Sequence, residues 1–211
     1  MFLKPAIKNI IFDLGGVILN LDVDRTYHQF AQLSGKSMLQ LKLEATSLPF
    51  FHDYERGIIN DGNFRLKLRS FLASQTNDGT IDNAWNAMLL DLPVARLDFL
   101  KKLGSQYRIF LLSNTNTIHF HAFTEIFKKL NYAPSLDILF ERTYYSHLIN
   151  MRKPDAEIYN YVLQDNQLKA KETLFLDDNL ANLQGATSLG IQTFHVKHPD
   201  LIFSLFDEPK P

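Results

Sequence analysis

The chain has 211 residues, 45% of them hydrophobic, with 22 basic and 23 acidic side chains and a formal net charge of −1. That length suits one domain carrying an insertion, or two small domains, with enough apolar material for a core. The balanced charge gives no footprint for nucleic acid or a membrane surface, no apolar run is long enough to span a bilayer, and the absence of cysteine excludes disulfides, thiolate metal sites and thiol nucleophiles. Met1-Phe-Leu-Lys-Pro-Ala lacks the apolar region and cleavage site of a signal peptide, so a cytoplasmic protein is expected.

Residues 8–13 read as a short buried strand that ends in the carboxylate of Asp13. Gly15 and Gly16 follow, suited to a turn that needs a positive φ. From Asp22 to Pro93 the pattern is helical, and the apolar spacing predicts helices over 24–33, 37–43, 61–72 and 81–90. Trp85 and Met88, three apart, form an inward face of the last. Between these helices, Tyr54-Glu55-Arg56-Gly57 reads either as a solvated turn or as a substrate contact.

After Pro93, helix and strand alternate. A helix over 94–103 stops at Gly104, and a strand over 108–112 leads into Ser113-Asn114. A helix over 117–130 and a strand within 136–144 come next. Met151-Arg-Lys153-Pro154 opens a helix reaching 164, with Pro154 in its first turn and Asp155 and Glu157 at the positive end of its dipole. A strand over 173–176 leads into Asp177-Asp178-Asn179. A helix over 181–189 stops at Gly190, and 191–196 is the last strand. The tail from Asp207 is expected to fray. This order predicts an α/β fold with a doubly wound parallel sheet, formed by residues 1–21 and 94–211, and a small α-helical cap over 22–93 inserted after the first strand. His119 and His121 are two apart on a helix and face different sides, so they are expected to be exposed or capping rather than metal ligands. Tyr144 and Tyr145 are expected in the core and at its rim.

The chemistry comes from four stations in chain order: an acid, a hydroxyl, a lysine and an acid pair. Each has an ordinary structural use. Ser113 or Asp177 can cap a helix, Lys153 can be a solvated lysine, and the glycines can be a turn. Together, at strand ends and one helix start, they fit the crevice that open parallel sheets form at their carboxyl edge. In that crevice Asp13 can attack phosphorus and become an aspartyl-phosphate. Mg²⁺, a hard cation that prefers oxygen ligands, fits Asp13, the Gly15 carbonyl and the pair Asp177 and Asp178, with Asp178 favoured as direct ligand. Ser113 and the Asn114 backbone N–H can hold a phosphoryl oxygen, and Lys153 can neutralise charge on nucleophile and phosphoryl group alike. Lys153 is read as serving the chemistry more than the fold, so its removal is expected to leave stability almost unchanged.

Asp13-Leu-Gly-Gly-Val, Ser113-Asn114, Arg152-Lys153-Pro154 and Asp177-Asp178-Asn179 resemble the four motifs of the haloacid dehalogenase (HAD) superfamily, over about residues 8–198. Leu112-Ser-Asn-Thr-Asn116, Tyr54-Glu-Arg-Gly57 and Ile158-Tyr159 are similar to its bacterial α-D-glucose-1-phosphate phosphatase branch. The resemblance implies a HAD-like Rossmannoid core with a helical cap. It also implies a Mg²⁺-dependent phosphatase acting on a small phosphorylated metabolite, with a sugar phosphate such as a hexose 1-phosphate favoured. Asp13, Gly15 and Asp178 are then on the metal, Ser113 and Lys153 hold phosphate, and the 54–57 segment sits where a cap loop meets the core site.

One position departs from the superfamily pattern. Most of its phosphatases carry a second Asp two residues after the nucleophile, and here that residue is Gly15. General acid–base catalysis is worth about 10²–10⁴-fold, so a good leaving group or a cap residue must compensate. Asp22, Asp24, His28 and Glu55 are candidates for the latter, and His28, Glu55 and Arg56 are candidate substrate contacts. The alternatives are a catalytically weak binding or regulatory protein of the same fold, and a metal-independent 2-haloacid dehalogenase. Asp177 and Asp178 oppose the last, because uncompensated acids repel a halide and a carboxylate substrate.

Overall fold

The computed structural model describes residues 7–206, so the tail from Asp207 lies outside the described residues. Five strands, β1 (Asn9–Phe12), β2 (Arg108–Ser113), β3 (Arg142–Tyr145), β4 (Thr173–Asp177) and β5 (Gln192–His195), form one sheet in the order β3-β2-β1-β4-β5. Every ladder is parallel, with Phe12 opposite Leu111 on one side and Leu176 on the other. Successive side chains leave opposite faces of a strand. Ile10, Phe12, Leu111 and Leu176 therefore enter one core, and Ile11, Phe110, Leu112 and Phe175 enter the other. Both faces being covered, β1 reads as a continuous apolar run instead of an alternating one.

The first core is closed by α6 (Val94–Gly104), α7 (Thr117–Lys129) and α11 (Leu201–Phe206), through Leu97, Leu100, Phe123, Phe127 and Ile202. The second is closed by α9 (Ala156–Asp165) and α10 (Leu180–Thr187), through Ile158, Tyr159, Val162, Leu183 and Ala186. The short α8 (Ser146–Ile149) follows β3 directly. The helix expected to open with Pro154 begins instead at Ala156, with Asp155 as its N-cap, and the Lys153–Pro154 peptide bond, which is cis, precedes it. The helix α11 was not legible, since its six residues are too few to display a period.

Between β1 and α6 lie α1 (Val23–Ser34), α2 (Met38–Ala45), α3 (Phe50–Glu55), α4 (Asp61–Leu72) and α5 (Asp78–Asn86). They share an aromatic core in which the Tyr54 and Phe64 rings stack 4.0 Å apart and Phe51 stacks on Trp85 at 5.6 Å. Side chains of Asp22, Ser37, Asn60 and Asn77 cap four of the five helices. Asn77 accepts from the Thr80 N–H and starts α5 three residues before the expected helix. The segment read as a turn at 54–57 is in part the end of α3.

The insertion enters and leaves over two backbones that lie side by side. Asn20 N–H donates to Asp91 O (2.9 Å), Leu90 N–H to Asn20 O (3.0 Å) and Asp22 N–H to Met88 O (2.9 Å). The buried Arg96 guanidinium braces this crossing by donating to Ile18 O, Asn20 Oδ1 and Asp200 Oδ1. No helix among the described residues is long and apolar enough to cross a membrane.

Candidate active site

The carboxyl ends of β1, β2 and β4 are neighbours, so the residues that leave them meet. Asp13 follows β1, Ser113 ends β2 and Asp177 ends β4. Asp13 N–H donates to Leu176 O (2.9 Å), which continues the ladder by one residue and holds both acids level. Lys153 arrives from the loop before α9. Its ammonium is 1% exposed and donates to Asp13 Oδ1 (2.7 Å), Asp177 Oδ2 (2.7 Å) and Leu112 O (2.8 Å), with the Phe175 ring 5.2 Å away. These three oxygens use all three of its donors. Asn114 fixes the loop behind it reciprocally: its Nδ2 donates to Lys153 O and its Oδ1 accepts from Lys153 N–H, both at 2.9 Å. The Asn114 side chain is thereby a structural clamp, which the sequence did not reveal.

The two adjacent acids are unequal. Asp177 is fully buried, and besides Lys153 it accepts from Asn179 N–H (2.8 Å) and from Asn182 Nδ2 (3.0 and 3.1 Å). Asp178 reaches solvent, and no other described residue donates a hydrogen bond to its carboxylate. One oxygen from each of Asp13, Asp177 and Asp178 lies within 4.8 Å of the others. Burial pushes the Asp13 carboxyl up to about 7; Lys153 pulls it down and Asp177 adds to the rise. Burial and the Asp177 charge likewise raise Asp178. Lys153 is held protonated, because Asp13 and Asp177 outweigh the cost of its burial. Three clustered acids facing one ammonium, with one acid uncommitted, fit a divalent cation with oxygen ligands.

The glycine pair divides its work. Gly16, with φ +71°, is the residue in the left-handed region, and a Cβ on it would lie 2.4 Å from Asp178 Oδ2. It therefore serves both the turn and the close approach of Asp178. Gly15 is not in that region; a Cβ there would meet the end of the Leu21 side chain at 2.5 Å. The apolar side chain of Leu21 thus occupies the space beside the nucleophile.

A crevice of about 220 Å³ opens beside the cluster, lined by Gly15, Leu21, Glu55, Trp85, Met88 and Ser113 among others, while Asp13, Lys153, Asp177 and Asp178 are not among its lining residues. No described side chain hydrogen-bonds the buried Ser113 hydroxyl, which leaves it available. Of the four cap residues weighed as proton donors, Glu55 alone lines the crevice. Asp22 caps α1, Asp24 pairs with Lys42, and His28 is exposed and bonded to Gln32. Arg56 does not line it either and pairs with Asp155 on the core. A larger open groove of about 760 Å³, near Tyr107, Tyr132 and Ile138, holds none of these residues.

His119 corrects the sequence expectation, being neither exposed nor a cap. It is buried, stacks on Trp85 with ring centres 4.5 Å apart, and its Nε2 lies 3.1 Å from Trp85 O. The Asn116 amide caps α7 and lies 3.2 Å from its Nδ1. Nε2–H donating to Trp85 O is the tautomer that satisfies both nitrogens. This contact joins the insertion to the helix that leaves Ser113. Tyr145, expected at the rim, is buried together with Tyr144.

A model of haloacid dehalogenase-like hydrolases matches residues 7–190. The chain is 29% identical over 190 residues to a D-ribitol-5-phosphate phosphatase of Bacteroides thetaiotaomicron, covering 89% of this chain and 91% of that protein. It is 28% identical over 194 residues to a sesquiterpene phosphatase of Aspergillus oryzae, covering 90% and 89%. Among solved structures it is similar to a HAD family enzyme of Bacteroides thetaiotaomicron, with TM-score 0.86 and 35% identity over 96% of this chain and 100% of that one. That enzyme is also known in complex with magnesium and inorganic phosphate, with TM-score 0.76 and 36% identity over 90% and 93%.

Two measurements check the site. The expectation that Lys153 is dispensable to the fold is revised by its burial, since removing one member of a buried ionic cluster strands the others. Lys153→Met should cost about 3 kcal/mol in urea unfolding at neutral pH. The second concerns His119, which burial depresses from 6.5 to about 4. Its unfolded form takes up a proton first on acidification. The stability it contributes is therefore complete above pH 6.5 and is lost as pH falls through 4. Melting temperatures between pH 7 and 4 should fall less steeply for His119→Gln than for wild type.

Proposed function

The chain belongs to the haloacid dehalogenase-like hydrolases, and we propose that it is a Mg²⁺-dependent phosphatase that hydrolyses a small phosphorylated metabolite through an aspartyl-phosphate on Asp13. The observation that carries this reading is the cluster of Asp13, Asp177 and Asp178 oxygens within 4.8 Å of one another, around a buried Lys153. Asp13, the Gly15 carbonyl and Asp178 would hold the cation, with Asp177 behind them. Bound there, Mg²⁺ supplies positive charge to the phosphoryl oxygens and keeps Asp13 ionised.

The chain's own residues do the rest. With Oδ1 of Asp13 held by Lys153, Oδ2 is the oxygen left to attack phosphorus. The Ser113 hydroxyl and the Asn114 backbone N–H donate to phosphoryl oxygens, and Lys153 offsets the charge shared by nucleophile and phosphoryl group. The P–O bond to the alcohol breaks as the Asp13–phosphorus bond forms, and water then cleaves the acyl-phosphate. The helices over 22–93 act as the cap, with Glu55 projecting into the crevice as a substrate contact.

For the substrate we favour a sugar phosphate whose phosphate leaves from an anomeric oxygen, such as a hexose 1-phosphate. Glu55 can accept hydrogen bonds from hydroxyls, the motif pattern resembles the glucose-1-phosphate branch, and one relative is a ribitol-5-phosphate phosphatase. A second reading, an apolar alcohol, draws on the Leu21, Trp85, Met88 and Leu89 wall and on the sesquiterpene phosphatase relative.

Phosphate release from hexose 1-phosphates, pentitol 5-phosphates and a prenyl monophosphate, with and without Mg²⁺, tests the function. Turnover should require the metal and should vanish in Asp13→Asn with the fold intact. Asp13→Asn turning over near the wild-type rate would remove the covalent mechanism.

The Leu21 side chain beside Gly15 makes leaving-group acidity matter. Without a protonating group there, negative charge builds on the departing oxygen. Aryl and anomeric phosphates should turn over well and plain alkyl phosphates poorly. Gly15→Asp combined with Leu21→Ala should flatten that dependence, since the backbone at residue 15 accepts a side chain once Leu21 is trimmed. Equal kcat for alkyl and aryl substrates, with chemistry rate-limiting, would mean that another residue supplies the proton, with His28 and Glu55 the first positions to mutate.

A further inference from the structure

The end of α3 grips the loop that carries Lys153. Arg56 donates from Nη2 to Asp155 Oδ2 at 2.6 Å, and Arg152 donates from Nε to Glu55 Oε2 at 2.9 Å. The insertion thus supplies the cation to one pair and the anion to the other, and the two core members stand on either side of Lys153-Pro154. Asn150 Nδ2 adds a hydrogen bond to Arg56 O at 2.8 Å. Beside these, Gly57, at φ +66°, lies against the His147 carbonyl so closely that a Cβ would sit 2.3 Å from its oxygen. Three consecutive residues of the insertion therefore contact the segment 147–155, while Asn114 holds Lys153 from the core side.

We infer that Arg56 and Asp155 are positioning residues: their ion pair lets the helical insertion set the loop of Lys153, so that the affinity of the site at Lys153 for a phosphoryl group depends on a contact lying outside it. The inference rests on the reading of Lys153 as a phosphate-holding residue. The Lys153 ammonium meets three oxygens at 2.7–2.8 Å, and hydrogen bonds of that length do not survive a displacement of about 1 Å. The Arg56–Asp155 pair is partly exposed, at 27% and 48%, and an exposed ion pair adds little to global stability. Its effect is accordingly on where the loop sits, more than on whether the chain folds. Neither residue belongs to the carboxylate cluster or touches the Lys153 ammonium, so a change in phosphate affinity on altering them is transmitted by the loop.

The test is calorimetric binding of inorganic phosphate in the presence of Mg²⁺, with melting temperature measured alongside. Arg56→Gln and Asp155→Asn should each weaken phosphate binding about three- to tenfold, with little change in melting temperature. Arg56→Lys, which keeps the cation, should recover most of the affinity. The double variant should bind no more weakly than either single one, because both remove the same contact. Wild-type phosphate affinity in both single variants, with or without a loss of melting temperature, would make the pair merely structural and overturn the inference. Additive losses in the double variant would overturn it as well. Wild type that itself fails to bind phosphate with Mg²⁺ would overturn the phosphatase reading and this inference together, which separates the two failures.

Discussion

One ammonium organises the carboxyl end of the sheet. Lys153 is buried in contact with two carboxylates, and no arrangement of that kind holds unless all its hydrogen-bonding groups are matched. The match here is complete on the lysine's side: two acids and the Leu112 carbonyl use its three donors. The acids, however, outnumber it. With Asp178 included, three carboxylates face one cation, and burial, with the like charge of Asp177 adding to it, raises the pKa values of Asp13 and Asp178. A polyvalent cation relieves that excess, and a phosphoryl group can approach once it has done so.

The surrounding structure reads as support for that cluster. The parallel ladders bring three strand ends level, and the reciprocal Asn114 bonds hold the lysine loop against the end of β2. Asn182 and the Asn179 N–H bond to Asp177 and fix its carboxylate in place behind the site. Gly16 lets the β1 loop pass under Asp178 without a side chain between them. The insertion reaches the same assembly from above by two routes, the 55–57 segment on the lysine loop and Trp85 on His119. Core and insertion therefore both contact the loops of the candidate site, although each has its own apolar core.

The sequence was most legible where physics is local and repetitive. Short apolar runs ending in polar residues located the strands that lead to Asp13, Ser113 and Asp177, and the resemblance to the superfamily supplied their chemistry. What stayed hidden depends on pairs distant in sequence. Nothing near Asn114 in the chain reveals that its amide clamps Lys153, 39 residues on. His119 looked like a surface residue because its stacking partner, Trp85, belongs to the other core. Helices α3 and α11 are only six residues long, below the length at which apolar spacing identifies a helix. Pro154 suggested the first turn of a helix, but the chain needs two more residues to leave the lysine loop before α9 begins.

The paired backbones at 20–22 and 88–91 also bear on how such a protein can be rebuilt. Leu21 and Leu89 face each other as antiparallel neighbours, the arrangement that a two-residue hairpin closes. The whole helical insertion thus hangs from a point where the two ends of the gap already meet. Cutting there and joining the ends with a tight turn would leave β1, the Asp13 turn and the Arg96 brace continuous. The crossing is a natural graft junction, at which one roof can be exchanged for another provided the new one restores the contacts that residues 55–57 make with the lysine loop.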